Sequence, residues 1–157
     1  MSKILVIYYS RSGNTEQMAK AVAEGAKAGG ANVVLKKAVE ANAKDLLECD
    51  IVAFGTPNYF GYMCGMVKDY FDRVWVTIRE KVGGKPYATF GSKGGGGAEG
   101  IASIEKICND LRMKKIIEGV LATRKPTQEV LTQCRDFGMK LAHPESIGLL
   151  KVDEPRL

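Results

Sequence analysis

Apolar and polar positions along the chain alternate between two periods. Ile4 to Tyr9 form an unbroken apolar run, as expected of a strand covered on both faces. After a polar stretch, Met18, Ala21, Val22, Gly25 and Ala26 recur three and four apart and mark one face of a helix. That helix runs to about Ala28, where Gly29-Gly30 stop it. Ala31 to Lys37 read as a second strand, Ala43 to Leu47 as a short helix, and Asp50 to Gly55 as a third strand built on Ile51-Val52-Ala53-Phe54. The turn-rich segment Thr56 to Gly61 follows. A third helix then places Val67, Tyr70, Phe71, Val74 and Ile78 on one side and ends near Gly83-Gly84. Lys85 to Phe90 make a fourth strand, and a fourth helix carries Ile104, Ile107, Cys108 and Leu111. Lys115 to Leu121 make the fifth strand. Pro126 opens a last helix with Val130, Leu131, Cys134, Phe137, Gly138 and Leu141 facing in, and the tail beyond Pro144 is expected to be loosely held.

Five strands alternating with helices predict an α/β fold, with a parallel sheet between two helical layers. Right-handed crossovers and this strand count favour the doubly wound order 2-1-3-4-5. Ligands then bind beyond the carboxyl ends of the strands, at the switch between strands one and three. The loops after strands one, three and four would share that crevice. No repeat, linker or break in composition divides the chain, so residues 1–157 are expected to form a single domain.

Composition narrows the class further. With 45% hydrophobic and 26% charged residues the chain has an ordinary globular make-up, and no apolar run approaches the ~20 residues that cross a bilayer. The first strand begins almost at Met1, so a cytoplasmic protein without a membrane partner is expected. Cys49, Cys64, Cys108 and Cys134 are widely separated and there is one histidine, a pattern that argues against zinc or iron–sulfur ligation and for reduced thiols. Cys64 lies beside a loop of interest, but a packed thiol is the expectation there too. A net charge of +5 permits attraction to acidic partners. The basic residues are interspersed with acids, and no nucleic-acid partner is expected.

The three loops carry the candidate chemistry. Ser10-Arg11-Ser12-Gly13-Asn14-Thr15 takes a strand into a helix, leaving backbone N–H groups at the positive end of the helix dipole. Such a stretch can seat a phosphate. It lacks the Gly-Lys-Ser/Thr of a nucleotide-triphosphate loop, the three spaced glycines of a dinucleotide site and the cysteine of a phosphatase loop, which leaves a small monophosphate ester. An ordinary helix start capped by Ser12 or Asn14 explains the same residues equally well. The second loop, from Thr56 and Pro57 through Asn58, Tyr59, Phe60 and Gly61 to Tyr62, gathers aromatic rings that could flank a flat ring system. At least one of those rings is expected to pack against the third helix. The third loop, Ser92-Lys93-Gly94-Gly95-Gly96-Gly97, offers N–H groups to a heterocycle or an anion, or is a plain surface connection.

Taken together, these loops resemble those of the flavodoxin-like FMN proteins, and the likeness covers nearly the whole chain. It rests on Ile4 to Tyr9 followed by Ser10 to Thr15, on Phe54-Gly55-Thr56-Pro57-Asn58-Tyr59-Phe60-Gly61, and on Gly91-Ser92 with its glycine tract. The resemblance implies a flavodoxin-like three-layer sandwich with FMN as cofactor. Ser10, Ser12, Gly13, Asn14 and Thr15, together with Arg11, would hold the phosphate. Thr56 and Pro57 to Gly61 would cover the dimethylbenzene and N5 side, and Ser92 to Gly97 would meet the pyrimidine edge. No protein side chain need do acid–base chemistry, because the flavin carries the electrons.

Two subfamilies fit this pattern. The glycine tract followed by Ala98-Glu99 is similar to the NAD(P)H:quinone reductases related to the tryptophan-repressor-binding protein, which carry a further segment after the fourth strand that helps build a tetramer. The compactness of this chain favours a flavodoxin, an electron carrier between transient redox partner proteins, acting as a monomer or small homo-oligomer. Flavodoxins are typically acidic around the flavin, whereas this chain is basic. If Lys93 approaches the pyrimidine edge, its charge should make the second reduction step less negative.

Overall fold

The computed structural model describes residues 1–147. The expectation for the tail beyond Pro144 therefore falls mostly on residues 148–157, outside the described residues; Pro144–Ile147 form a short 3₁₀ turn. Five helices alternate with the strands in chain order: β1 (Lys3–Tyr8), α1 (Asn14–Ala28), β2 (Asn32–Lys37), α2 (Ala43–Glu48), β3 (Ile51–Tyr59), β4 (Tyr62–Met63), α3 (Gly65–Ile78), β5 (Pro86–Lys93), α4 (Glu99–Asp110), β6 (Lys114–Lys115), β7 (Val120–Thr123) and α5 (Gln128–Ala142).

The main sheet is parallel, in the order β2-β1-β3-β5, with β6 and β7 sharing the far edge of β5. This is the doubly wound order expected from the sequence, except that its fifth strand is broken. Tyr87 pairs with Lys115 and Phe90 with Val120, so Ala88 and Thr89 lie opposite the four residues Ile116–Gly119. The extra residues bulge because Ile116 turns into the core, while Gly119 passes so close to Thr89 that an added Cβ would sit 2.9 Å from its carbonyl oxygen.

Side chains alternate across the sheet and divide the core in two. Leu5, Ile7, Val52 and Phe54 face α2, α3 and α4, where Phe54 meets Phe71 with ring centroids 5.0 Å apart. Ile4, Val6, Ala53 and Phe90 face α1 and α5, meeting Met18, Val22, Phe137 and Leu141. Both faces of the central strands are therefore covered, which explains their unbroken apolar runs. Local signals set several helix starts: Asn42 and Asp45 close a reciprocal cap on α2, and Thr127 caps α5 by accepting from the Val130 N–H. The last helix thus begins at Gln128, two residues after Pro126.

β3 and β5 both run past the ends expected for them. Thr56 to Tyr59 continue β3, with Thr56 opposite Gly91 and Pro57 opposite Ser92. Proline is tolerated in this otherwise central strand because β1 pairs only as far as Gly55, so the missing N–H falls where there is no neighbour on that side. The segment expected as a turn is consequently a strand end closed into a hairpin with β4, turning at Phe60-Gly61.

Candidate functional site

α1 begins on Gly13, whose φ of 93° lies in the left-handed region. No side chain caps the helix; instead Ser10 Oγ accepts from the Gly13 N–H at 3.1 Å. The alternative of a helix start capped by Ser12 or Asn14 is therefore not what the chain adopts. The first turn of α1 keeps its N–H groups facing the crevice end of the sheet, at the positive end of the dipole. Arg11 and Ser12 are exposed, and Asn14 is half-buried.

Thr15 is buried and its hydroxyl lies 2.8 Å from that of Ser92, tying the first loop to the third. Thr56 is buried as well, but its Oγ1 donates to the Pro57 carbonyl at 2.7 Å and accepts from the Cys64 N–H at 3.0 Å. Its side chain is thus committed to holding the hairpin. Cys64 is packed as expected, and burial pushes its thiol upward.

The three loops and the end of β7 enclose a crevice of about 210 Å³, lined by Ser12, Asn14, Pro57, Asn58, Tyr59, Ser92, Lys93, Gly94 and Arg124. This lies beyond the carboxyl ends of β1, β3 and β5, at the switch point that the strand order dictates. Gly13, Gly94 and Gly95 have open space where a Cβ would stand, so a ligand can approach their backbone. The Oδ1 of Asn58 is buried beside Gly100, without a hydrogen-bond partner among the described residues.

The glycine tract is held in place. Lys93 Nζ donates to the Gly96 carbonyl at 2.8 Å, and Glu99 Oε2 accepts from the Gly97 N–H at 2.9 Å and from Asn58 Nδ2 at 3.3 Å. These bonds, with the backbone N–H groups foremost, hold the Glu99 carboxyl below its usual range. Gly95, Gly96 and Gly97 belong to this loop without lining the crevice. Phe60 and Gly61 form the hairpin tip beyond it, with φ of 54° and 68°. Positive φ at both central residues is what a tight two-residue hairpin requires, and an aromatic residue is uncommon there. Phe60 is fully exposed, and Tyr59 and Tyr62 are 37% and 41% exposed.

Arg124 is the crevice residue that the loop motifs do not mark. It holds a left-handed φ of 58°, and its N–H donates to the Lys93 carbonyl at 2.6 Å. The signal for it was positional: it follows the fifth strand and therefore stands on the crevice side. Among the described residues, no cluster of histidine, cysteine and carboxylate side chains could hold a metal ion, and no helix is long and apolar enough to cross a membrane.

The flavodoxin family model matches residues 6–138, and the chain belongs to that family, whose cofactor is FMN. A flavodoxin of Aquifex aeolicus (strain VF5) is 33% identical, with 90% of this chain and 86% of that protein covered. An archaeal flavodoxin structure is 26% identical and superposes with a TM-score of 0.80 over 93% of this chain and 99% of its own. The two-electron reduced Megasphaera elsdenii flavodoxin is 25% identical, with a TM-score of 0.77 over 89% and 98%. The donor set fits FMN: uncapped N–H groups and hydroxyls for a phosphate, and open glycines whose backbone a heterocycle can approach.

Proposed function

We propose that this protein is an electron-transfer flavodoxin that carries electrons between redox proteins of the cytoplasm, with the chain working as one FMN-binding domain. The bound FMN supplies the redox chemistry, accepting and giving up electrons. The chain's own residues position it. In this reading Ser10, Ser12, Asn14 and Thr15, with the backbone of Gly13 and the charge of Arg11, hold the phosphate. Pro57 to Gly61 cover one side of the ring, and Ser92 to Gly97 present N–H groups to its polar edge. Thr56 contributes by fixing the hairpin.

The observation that carries the reading is the size and openness of the crevice. At about 210 Å³ it is smaller than the roughly 300–1,000 Å³ of pockets that enclose a small-molecule ligand. A cofactor seated there keeps an edge at the surface, within reach of another protein.

Stepwise anaerobic reduction of the FMN-loaded protein, followed by absorption, tests this. Two resolved one-electron stages are expected, together with negligible steady-state consumption of NADH in the presence of benzoquinone. Sustained NADH-dependent quinone turnover would overturn the carrier reading and establish a quinone reductase instead.

A further inference from the structure

An anion seat at the start of a helix has to be kept clear of the protein's own anions, and α1 carries one close at hand. Glu16 stands in the first turn of that helix, three residues after Gly13. From such a position an acid reaches back to the N–H groups of the helix start. Asp45, three residues after Asn42, does so in α2 and accepts from the Asn42 N–H at 2.9 Å; at the start of α4, Glu99 accepts from the Gly97 N–H at 2.9 Å. Glu16 bonds elsewhere. Its Oε2 accepts from the Tyr8 hydroxyl at 3.1 Å, and its Oε1 lies 3.4 Å from Lys20 Nζ.

Of these two partners, Tyr8 is the one that fixes a direction. It is the last residue of β1, and it is buried in the core layer shared with α1 and α5. Its hydroxyl is therefore presented to Glu16 by a ring that packing holds still. Lys20 is a long, exposed side chain one turn further along the helix, and a pair of that kind holds a carboxylate only weakly. The bond from Tyr8 is the foremost cause that keeps the Glu16 carboxyl below its usual range. Burial, with that same bond, pushes the Tyr8 hydroxyl up to about 12, so the donor keeps its proton near neutral pH. Gly13 brings no side chain to the helix start, and Ser10 Oγ takes only the Gly13 N–H. With Glu16 drawn aside, the N–H groups that follow are left to a ligand.

We propose that Tyr8 is a positioning residue for the cofactor: it holds the Glu16 carboxylate off the start of α1, so that the N–H groups there stay open to a phosphomonoester and favour a phosphorylated flavin over an unphosphorylated one. The inference rests on the phosphate seat of the flavodoxin reading and adds to it two residues that lie outside the crevice lining. Without the Tyr8 hydroxyl, Glu16 keeps only its exposed pair with Lys20, and the N–H groups of its own turn, at the positive end of the dipole, become its best remaining donors. A carboxylate settled there occupies those groups and repels a phosphate. The flavin ring gains or loses no contact, because neither Tyr8 nor Glu16 lines the space beside the second and third loops.

The test measures dissociation constants of FMN and of riboflavin for the full chain stripped of flavin, by quenching of flavin fluorescence, in the unaltered protein and in Tyr8→Phe, Glu16→Ala and the double variant. Tyr8→Phe keeps the buried ring and deletes the hydroxyl. It is expected to weaken FMN binding about fivefold or more while changing riboflavin binding by less than about twofold. Glu16→Ala alone should bind FMN at least as tightly as the unaltered protein, and adding it to Tyr8→Phe should restore FMN affinity, because the competing carboxylate is then gone. An unchanged FMN constant in Tyr8→Phe, an equal loss for both flavins, a double variant that stays weak, or weaker FMN binding in Glu16→Ala each overturns the role of Tyr8 and leaves the phosphate seat standing. An unaltered protein that binds riboflavin as tightly as FMN overturns the seat itself, and a chain that takes up neither flavin overturns the flavodoxin reading with it.

Discussion

Thr15 and Ser92 are 77 residues apart in the chain and 2.8 Å apart in space, both nearly devoid of solvent contact. Each hydroxyl has the other as its partner, so removing one strands the other in a place water does not reach. Replacing Thr15 with Val keeps the shape and deletes the hydroxyl. The expected loss is roughly 1–3 kcal/mol of folding free energy, read as a lower urea midpoint with an unchanged slope. Because the bond also joins the first loop to the third, the same variant should bind FMN more weakly. Both residues were legible as members of candidate loops, since hydroxyls beside glycine at a strand end are a local signal. Their bond to each other was not legible, because no spacing in a sequence encodes a pairing of that range. Thr56 shows the converse: its residue type suits a ligand site, but its hydroxyl is consumed between Pro57 and Cys64.

At the scale of elements, α1 and α5 meet backbone to backbone. A Cβ added to Gly138 would lie 2.0 Å from the carbonyl oxygen of Val22, and one added to Gly25 would lie 1.9 Å from that of Arg135. Two backbones touch at these points, and no rotamer change can make room. Gly138→Ala is therefore expected to push α5 off α1 and destabilise the protein by about 1–3 kcal/mol or more, despite the gain in helix propensity, as measured by urea or thermal unfolding. Both glycines stood on the apolar faces read from the sequence, where glycine in mid-helix already signals close packing. Element types followed from the two hydrophobic periods. Boundaries did so less well wherever pairing overruled composition. Gly-Thr-Pro-Asn reads locally as a turn, yet Gly91 and Ser92 give Thr56 and Pro57 a strand to pair with. The fifth strand reads as continuous because Ile116 and Ile117 suit a strand, and only the neighbouring Thr89 reveals the bulge at Gly119.

For the whole molecule, binding at the crevice and stability of the fold are linked, because the site is built from loops that only the folded sheet brings together. FMN should therefore raise the unfolding temperature with concentration, by the equivalent of about 2.7 kcal/mol at a hundredfold excess over its dissociation constant. Riboflavin offers a control that separates the parts of the site. It keeps the ring but lacks the phosphate, so it cannot use the uncapped first turn of α1 or the charge of Arg11. If the start of α1 is a phosphate seat, riboflavin should stabilise far less than FMN at equal concentration. Raising the salt should erode the FMN effect while leaving the riboflavin effect nearly unchanged, since screening acts on the phosphate alone. Equal, salt-insensitive stabilisation by both would move the binding energy onto the rings of the second loop and the glycine tract, and would leave the N–H groups behind Gly13 without a ligand role.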